Sequence, residues 1–288
     1  MTRVAAIDLG TNATRLLVAD VDDGTVTELR RRTAITRLGE GVDARRRLLP
    51  VPIARVRNVL TDYRREAEEL GAERVLAVGT SAVRDAENGE AFLGEIEWSY
   101  GFATRLLTGD EEAALTLRGV GPLADGTVVV DIGGGSTELI TNDVRASLDI
   151  GCVRLTERHG EDLVAMAAGV RAALPPLRAE RVLNVDGTTA ELAALGGRSP
   201  VVDLRTISDA LDWLSTSTES ERRARLLQPD RSEVLAAGVV ILRETLLHLG
   251  VDATAASERD LLNGAALEAA ELPAPTEGDA PPGAFTCC

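Results

Sequence analysis

The sequence predicts a duplicated α/β protein, each copy opening with three strands and continuing with helix and strand in alternation. Three alignments carry this expectation. Setting Asp131 on Asp8 brings Gly133 onto Gly10, Thr137 onto Thr14 and Leu139 onto Leu16 without a gap. ERVLAVGTSA (Glu73 to Ala82) matches ERVLNVDGTTA (Glu180 to Ala190) with one inserted residue. FATRLLTGDEEAAL (Phe102 to Leu115) has a looser counterpart in VDATAASERDLLNGAAL (Val251 to Leu267), each a short strand leading into a helix.

Taken in order, Val4 to Ile7, Leu16 to Ala19 and Thr25 to Leu29 read as strands separated by polar turns, the first turn being Asp8 to Thr14. Arg30 to Arg32 and Arg45 to Arg47 form two basic clusters in a connecting stretch, each a solvated face or a binding site. Apolar spacing from Ile53 to Leu70 gives an amphipathic helix that Gly71 ends. Arg74 to Val78 is a buried strand, and Ala82 to Leu93 has helical character that would put Arg84 and Asn88 on one face. Thr104 to Leu107 gives a strand, Gly109 starts a helix to about Arg118, and Gly119 to Pro122 is the candidate hinge. Beyond it, Val153 to Ala173, Thr206 to Ser215, Ser232 to His248 and Leu261 to Leu272 read as helices.

A chain of 288 residues fits two domains of roughly 120 to 150 residues each. The expected boundaries are 1–121 and 122–272, with the last helix free to pack back on the first domain. Residues 273–288, rich in Pro, Gly and acid, are expected to be disordered. The adjacent Cys287 and Cys288 there are a lipidation or metal trace, or a tail without function. Only 2% of residues are aromatic against 44% apolar, so aliphatic side chains must build the cores.

The net charge of −15 argues against non-specific nucleic-acid binding and against docking on an anionic membrane. All 31 basic residues are Arg, and without Lys neither a Walker-type phosphate loop nor a Schiff base can form. Three cysteines and two distant histidines make neither a disulfide framework nor a zinc spacing. With no signal-like segment and no apolar run of membrane-spanning length, the expected location is cytoplasmic.

The stretch from Val128 to Ile140, VVVDIGGGSTELI, carries the chemistry. A buried strand delivers Asp131 to its end, and the glycines that follow turn the chain and leave backbone N–H groups bare for phosphate oxygens. Asp131 and Glu138 flank the turn with carboxylates suited to a hard divalent cation. The repeat supplies an opposing turn at Thr11 to Thr14, where Arg15 aligns with Glu138. Arg15 either adds a cation to an anion site or is a strand residue facing solvent. Arg84 follows Gly79-Thr80-Ser81 and could grip a phosphoryl group bidentately. Asp110, Glu111 and Glu112 are candidates for orienting a water, although acids in a first helical turn are favoured by the helix dipole in any case.

Taken together, IDLGTNATRLL, VGTSAVRDAENGEAFL, LLTGDEEAALTLRGV, VVVDIGGGSTELI, LDIGCVRLTE and DGTTAELAAL resemble the exopolyphosphatase and guanosine pentaphosphate phosphohydrolase family, in order and over nearly all of Ala5 to Leu272. The resemblance implies duplicated actin-like, ribonuclease-H-like domains, each a mixed sheet flanked by helices, with a cleft between them. It implies hydrolysis of terminal phosphate from inorganic polyphosphate, or of the 5′-phosphate of guanosine pentaphosphate, with Mg²⁺ or Mn²⁺. Carried over by motif, Glu112 is the base that activates water, and Asp131 and Glu138 are the metal-associated acids. Gly133, Gly134, Gly135 and Ser136 match the phosphate loop, Arg84 a phosphate contact, and Thr11 and Asn12 the opposing loop. The resemblance also raises a homodimer, with no stretch here marking its interface.

The first loop departs from the family's usual Gly-Ser-Asn-Ser, keeping a hydroxyl at Thr11 and losing one at Ala13. Longer family members carry extra helical domains that this chain lacks, which suggests short polyphosphates or a nucleotide polyphosphate as substrate. An ATP-dependent phosphotransferase or ATPase of the same fold is the alternative enzyme, with Asp186 to Thr189 near an adenosine. A non-catalytic alarmone-binding sensor is the other alternative.

Overall fold

The computed structural model describes residues 1–185, 187–196, 199 and 201–273. The expectations for Asp186, for Cys287 and Cys288 and for the tail after Pro273 lie outside them. Strands β1 (Thr2–Leu9), β2 (Ala13–Asp22) and β3 (Thr25–Ile35) are followed by helices α1 (Val42–Arg45) and α2 (Pro50–Glu69). Strand β4 (Arg74–Gly79), helices α3 (Ser81–Asp85) and α4 (Gly89–Tyr100), strand β5 (Ala103–Leu106) and helix α5 (Gly109–Val120) come next. The second series opens with β6 (Thr127–Ile132), β7 (Thr137–Ile140) and β8 (Arg145–Leu148), then α6 (Cys152–His159), α7 (Leu163–Ala173), β9 (Arg181–Asn184) and α8 (Gly187–Leu195). It continues with β10 (Val201–Asp203), α9 (Leu204–Thr216), α10 (Glu219–Arg225), α11 (Leu235–Leu249), β11 (Ala253–Ala256) and α12 (Leu261–Ala269).

The two sheets show the duplication. The first runs β3-β2-β1-β4-β5, and the second, read from its β8 edge, runs β8-β7-β6-β9-β11-β10. In each, the first three strands are antiparallel and the next two join in parallel. This is the ribonuclease-H-like arrangement the resemblance implies, with β10 added as an edge strand. The backbone divides into two compact units, Met1–Val120 with the segment from Leu261, and Gly121–Asp260.

In the first unit β1 is buried on both faces. Ala5, Ile7 and Leu9 point into one cluster with Val56, Leu60 and Val83, while Val4 and Ala6 point into another with Leu115, Leu262 and Ala266. Strand alternation produces this split. The second cluster depends on α12, which lies so close to α5 that a Cβ at Gly264 would sit 1.9 Å from the Leu115 carbonyl oxygen. Arg105 holds Glu268 of α12 at 2.6 Å, and Arg74 donates to the Ala270 carbonyl. In the second unit, α11 contributes eight buried aliphatic residues from Leu235 to Leu249 to a single large cluster with α6, α7 and α9.

Several elements differ from the sequence reading. The third strand runs to Ile35, so Arg30 to Arg32 lie in it rather than in a connection. The helix expected from Val153 to Ala173 breaks at Gly160 (φ 59°), and Asp162 caps the restart by accepting from the Ala165 amide at 2.9 Å. The one expected from Ala82 to Leu93 breaks at Ala86, which is extended, so Arg84 and Asn88 share no helical face. Gly89 permits that break: a Cβ there would lie 1.9 Å from the Val83 carbonyl oxygen. Asn88 instead clamps Leu48, accepting from its amide at 2.8 Å and donating to its carbonyl at 3.1 Å.

Two glycine substitutions separate space from propensity. Gly264→Ala should destabilise by about 1–3 kcal/mol through overpacking against α5. Gly94→Ala, exposed in α4 with nothing within 4 Å, should stabilise by about 0.5–1 kcal/mol. Urea unfolding midpoints of the two variants check both signs.

Candidate functional site

Both units build the same hairpin turn. Gly10 donates its amide to the Ala13 carbonyl at 3.0 Å, and Gly133 to the Ser136 carbonyl at 2.9 Å. The equivalent threonines are buried and bonded beyond the hairpin: Thr14 meets the Thr36 hydroxyl at 2.9 Å, and Thr137 donates to the Ile150 carbonyl at 2.6 Å. A glycine closes on each turn from behind. Gly39 donates to the Thr11 carbonyl at 2.8 Å, and a Cβ there would meet the Thr11 methyl at 2.2 Å. A Cβ at Gly151 would meet the Gly134 carbonyl at 2.4 Å.

None of Gly133, Gly134 and Gly135 takes a positive φ, so handedness is not what requires them. Their use is close approach. Cys152 donates its amide to the Gly133 carbonyl at 3.0 Å, and Val153 donates to that of Gly134 at 2.8 Å. The buried Arg154 donates through Nε to the Gly135 carbonyl at 2.7 Å. The loop's carbonyls are thus held from one side, while Gly134, Gly135 and Ser136 donate their amides to no other backbone group among the described residues. Arg154 was not singled out from the sequence, although it stands within the LDIGCVRLTE block.

In the second unit Asp131 and Glu138 are direct partners across the β6–β7 ladder, and Ser147 donates to Glu138 Oε1 at 2.7 Å. In the first unit the same pair of positions holds Asp8 and Arg15, joined by Nε to Oδ2 at 2.9 Å and Nη2 to Oδ2 at 2.8 Å. Arg15 therefore pairs with a buried acid rather than simply facing solvent. Thr11 and Asn12 lie buried at the tip of that turn, and the Thr11 hydroxyl has no hydrogen-bond partner among the described residues.

Strand parity then brings the remaining residues together. Asp8 shares the face of Val4 and Ala6, the face covered by α5. The first turn of α5 carries three acids with different tasks. Glu111 forms a capping box with Thr108, accepting from its amide and hydroxyl at 2.9 Å each and returning its own amide to the hydroxyl at 3.3 Å. Those bonds, and one from Arg105, hold the Glu111 carboxyl down at about 2. Asp110 is exposed. Glu112 turns inward: it is buried, and Arg84 Nη1 bridges Glu112 Oε2 at 3.0 Å and the Leu107 carbonyl at 2.8 Å. Burial pushes the Glu112 carboxyl up to about 7, against the Arg84 charge and with a smaller push from Asp8. The sequence motifs for Glu112 and Arg84 therefore meet in one hydrogen-bonded pair.

This chain matches the Ppx/GppA phosphatase family over residues 17–271. It is 37% identical to exopolyphosphatase 2 of Mycobacterium tuberculosis, over 94% of this chain and 99% of that one. The chain belongs to the Ppx/GppA phosphatase family. A guanosine-5′-triphosphate,3′-diphosphate pyrophosphatase of Vibrio cholerae is 33% identical over 62% of this chain and 37% of its own length. Among solved structures, an exopolyphosphatase from Cytophaga hutchinsonii superposes with a TM-score of 0.82 at 25% identity, covering 91% of this chain and 96% of that one. The Aquifex aeolicus family member gives a TM-score of 0.73 at 28% identity, covering 93% and 97%.

The raised Glu112 carboxyl has a measurable consequence for stability. Between its ordinary value of 4.5 and about 7, the folded chain keeps a proton that the unfolded chain has released. This contribution is therefore fully present at low pH and is lost as pH rises through that window. Glu112→Gln should flatten this component, so the variant gains stability relative to the wild type between pH about 5 and about 8. Parallel urea titrations at the two pH values check it.

Proposed function

We propose that this chain is an exopolyphosphatase that removes terminal phosphate from inorganic polyphosphate, or the 5′-phosphate of guanosine pentaphosphate. Its relatives are hydrolases of phosphoanhydride bonds, and this chain is an enzyme of that class. The observation that carries the reading is Glu112, a buried acid fixed by Arg84 and raised to about 7, where a general base works best.

In this reading Glu112 accepts a proton from water as the water oxygen bonds to the terminal phosphorus. The bridging P–O bond breaks, and the shortened chain leaves with the electron pair. Arg84 keeps Glu112 oriented and presents its guanidinium to the phosphoryl oxygens. The amides of Gly134, Gly135 and Ser136 donate to phosphate oxygens in the second unit, where Gly133 instead closes the turn through its amide to the Ser136 carbonyl, and Thr11 and Asn12 contact phosphate in the first. The buried, unpartnered Thr11 hydroxyl supports this role, since such groups ordinarily find a partner.

Mg²⁺ or Mn²⁺ would be held by Asp131 and Glu138. The donor set fits: two carboxylates face each other across a ladder, where like charges favour a shared cation. No cluster of three His, Cys, Asp or Glu side chains able to hold a metal occurs among the described residues. Mg²⁺ commonly takes one or two carboxylates and completes its shell with water and substrate phosphate. When bound, it would neutralise charge on the phosphates. Among the described residues no helix is long and apolar enough to cross a membrane.

Phosphate release from tripolyphosphate, guanosine pentaphosphate and ATP, with and without Mg²⁺, tests the reading; a strong preference for ATP would overturn it. Glu112→Gln should lower kcat by about 10²–10⁴-fold with substrate binding retained. Surviving turnover would remove the base assignment. Arg84→Ala should raise KM, and an unchanged KM would count against its phosphate contact.

A further inference from the structure

The two basic clusters of the first unit have different fates. Arg31 and Arg32 of β3 are engaged by Glu28, Asn263 and Glu66. The second cluster, Arg45 to Arg47, is exposed throughout, and among the described residues Arg45 and Arg47 make no ion pair. Arg46 reaches only Asp85, at 4.0 Å. Although Asp43, Asp85 and Glu87 lie near the segment, three adjacent exposed cations with only one long ion pair among the described residues concentrate positive charge in a chain of net charge −15.

The segment that carries them is pinned. Val42 and Leu48 are buried on either side of the cluster. Arg46 stands in the left-handed region (φ 52°), closes α1 through its amide to the Val42 carbonyl, and accepts the Glu87 amide at 2.8 Å. Asn88 clamps Leu48 from both backbone groups. A side-chain-bearing residue held in a left-handed conformation by several contacts is a feature found where geometry serves function. The segment is also joined directly to the reacting groups. Val42 donates to the Gly39 carbonyl, Gly39 donates to the Thr11 carbonyl at the turn tip, and Asp85, the acid nearest Arg46, adjoins Arg84 in the chain, with Glu87 two residues further on.

We propose that Arg45, Arg46 and Arg47 form a subsite for the non-reacting phosphates of an extended polyphosphate chain. The inference rests on the polyphosphate reading above. Beside the Thr11 turn and the Glu112–Arg84 pair, the cluster extends cationic charge past the terminal phosphate, so it contributes only when the substrate is long enough to reach it. Guanidinium groups suit this task, because they pair with successive phosphate oxygens while staying charged at any working pH.

The test is a triple variant, Arg45→Gln, Arg46→Asn and Arg47→Gln, with Asn chosen because it tolerates the left-handed backbone. A charge-retaining triple Lys variant serves as the companion. Each lost exposed contact should cost about two- to threefold, so KM for polyphosphate of several tens of units should rise roughly tenfold. The kcat, and KM for tripolyphosphate, should stay within about twofold of the wild type. The Lys variant should recover most of the loss, and added salt should narrow the gap between wild type and the neutral variant. Equal effects on both substrates, or none on either, would overturn the subsite. Inhibition by single-stranded RNA as strong as by the long polymer would overturn its assignment to polyphosphate. Should the wild type release no phosphate from either substrate, the polyphosphate reading itself fails. Fluorescence anisotropy of a labelled long polyphosphate still reads the subsite without turnover: tighter binding to wild type than to the neutral variant supports it, and equal binding overturns it.

Discussion

The register of the β1–β2 hairpin is the constraint on which the first unit depends. Because β1 is buried on both faces, sliding the hairpin by one residue would exchange the contents of two cores. It would also take Asp8 away from Arg15 and out of the face that α5 covers. A buried carboxylate without its guanidinium is costly, so the ion pair and the aliphatic alternation specify the same register. Once that register is set, the turn tip falls where Gly39 can close behind Thr11, and Asp8 falls beside Glu112.

Duplication gave two turns of one geometry, and divergence at one ladder position gave them different electrostatics. Asp8 opposite Arg15 is a neutral pair; Asp131 opposite Glu138 is a pair of acids. The backbone barely registers this difference, since both turns close through the same amide-to-carbonyl bond at 3.0 and 2.9 Å. One scaffold can therefore present the same turn twice while keeping a facing pair of acids on one copy. In the first unit a second buried acid, Glu112, comes from α5, and its environment is set by burial and by Arg84.

Much of this was legible in the residues. The gapless alignment of the two hairpins foretold both turns, because local backbone geometry follows local sequence, while the pairing of Asp8 with Arg15 and of Asp131 with Glu138 across the ladders depends on the strand register. Glu112 was not separable from Asp110 and Glu111 by sequence pattern alone; only the family resemblance chose it. The reason is physical: which acid turns inward depends on the phase of α5, fixed by its packing on β1 and α12, while Glu111 is claimed by Thr108 and Arg105. The breaks at Ala86 and Gly160 were hidden for a similar reason. Helical spacing continues through both positions, and the break before Gly89 is decided by a close approach to the Val83 carbonyl that no short window contains. Arg154 was not singled out, because its hold on the Gly135 carbonyl joins α6 to a loop nineteen residues earlier, which no local pattern shows.

The placement of α12 bears on how the chain is made. Leu261, Leu262, Ala265, Ala266 and Ala269 complete the core against which Val4, Ala6 and Leu17 are packed. Between them in sequence lies the whole of the second unit, which is continuous. During synthesis the second unit can close on itself as it emerges, whereas one face of β1 has no cover until the ribosome has passed residue 269. Strand β1 is thus sealed only after the whole second unit has been made, and its exposed aliphatic face is a part of the nascent chain open to misassembly.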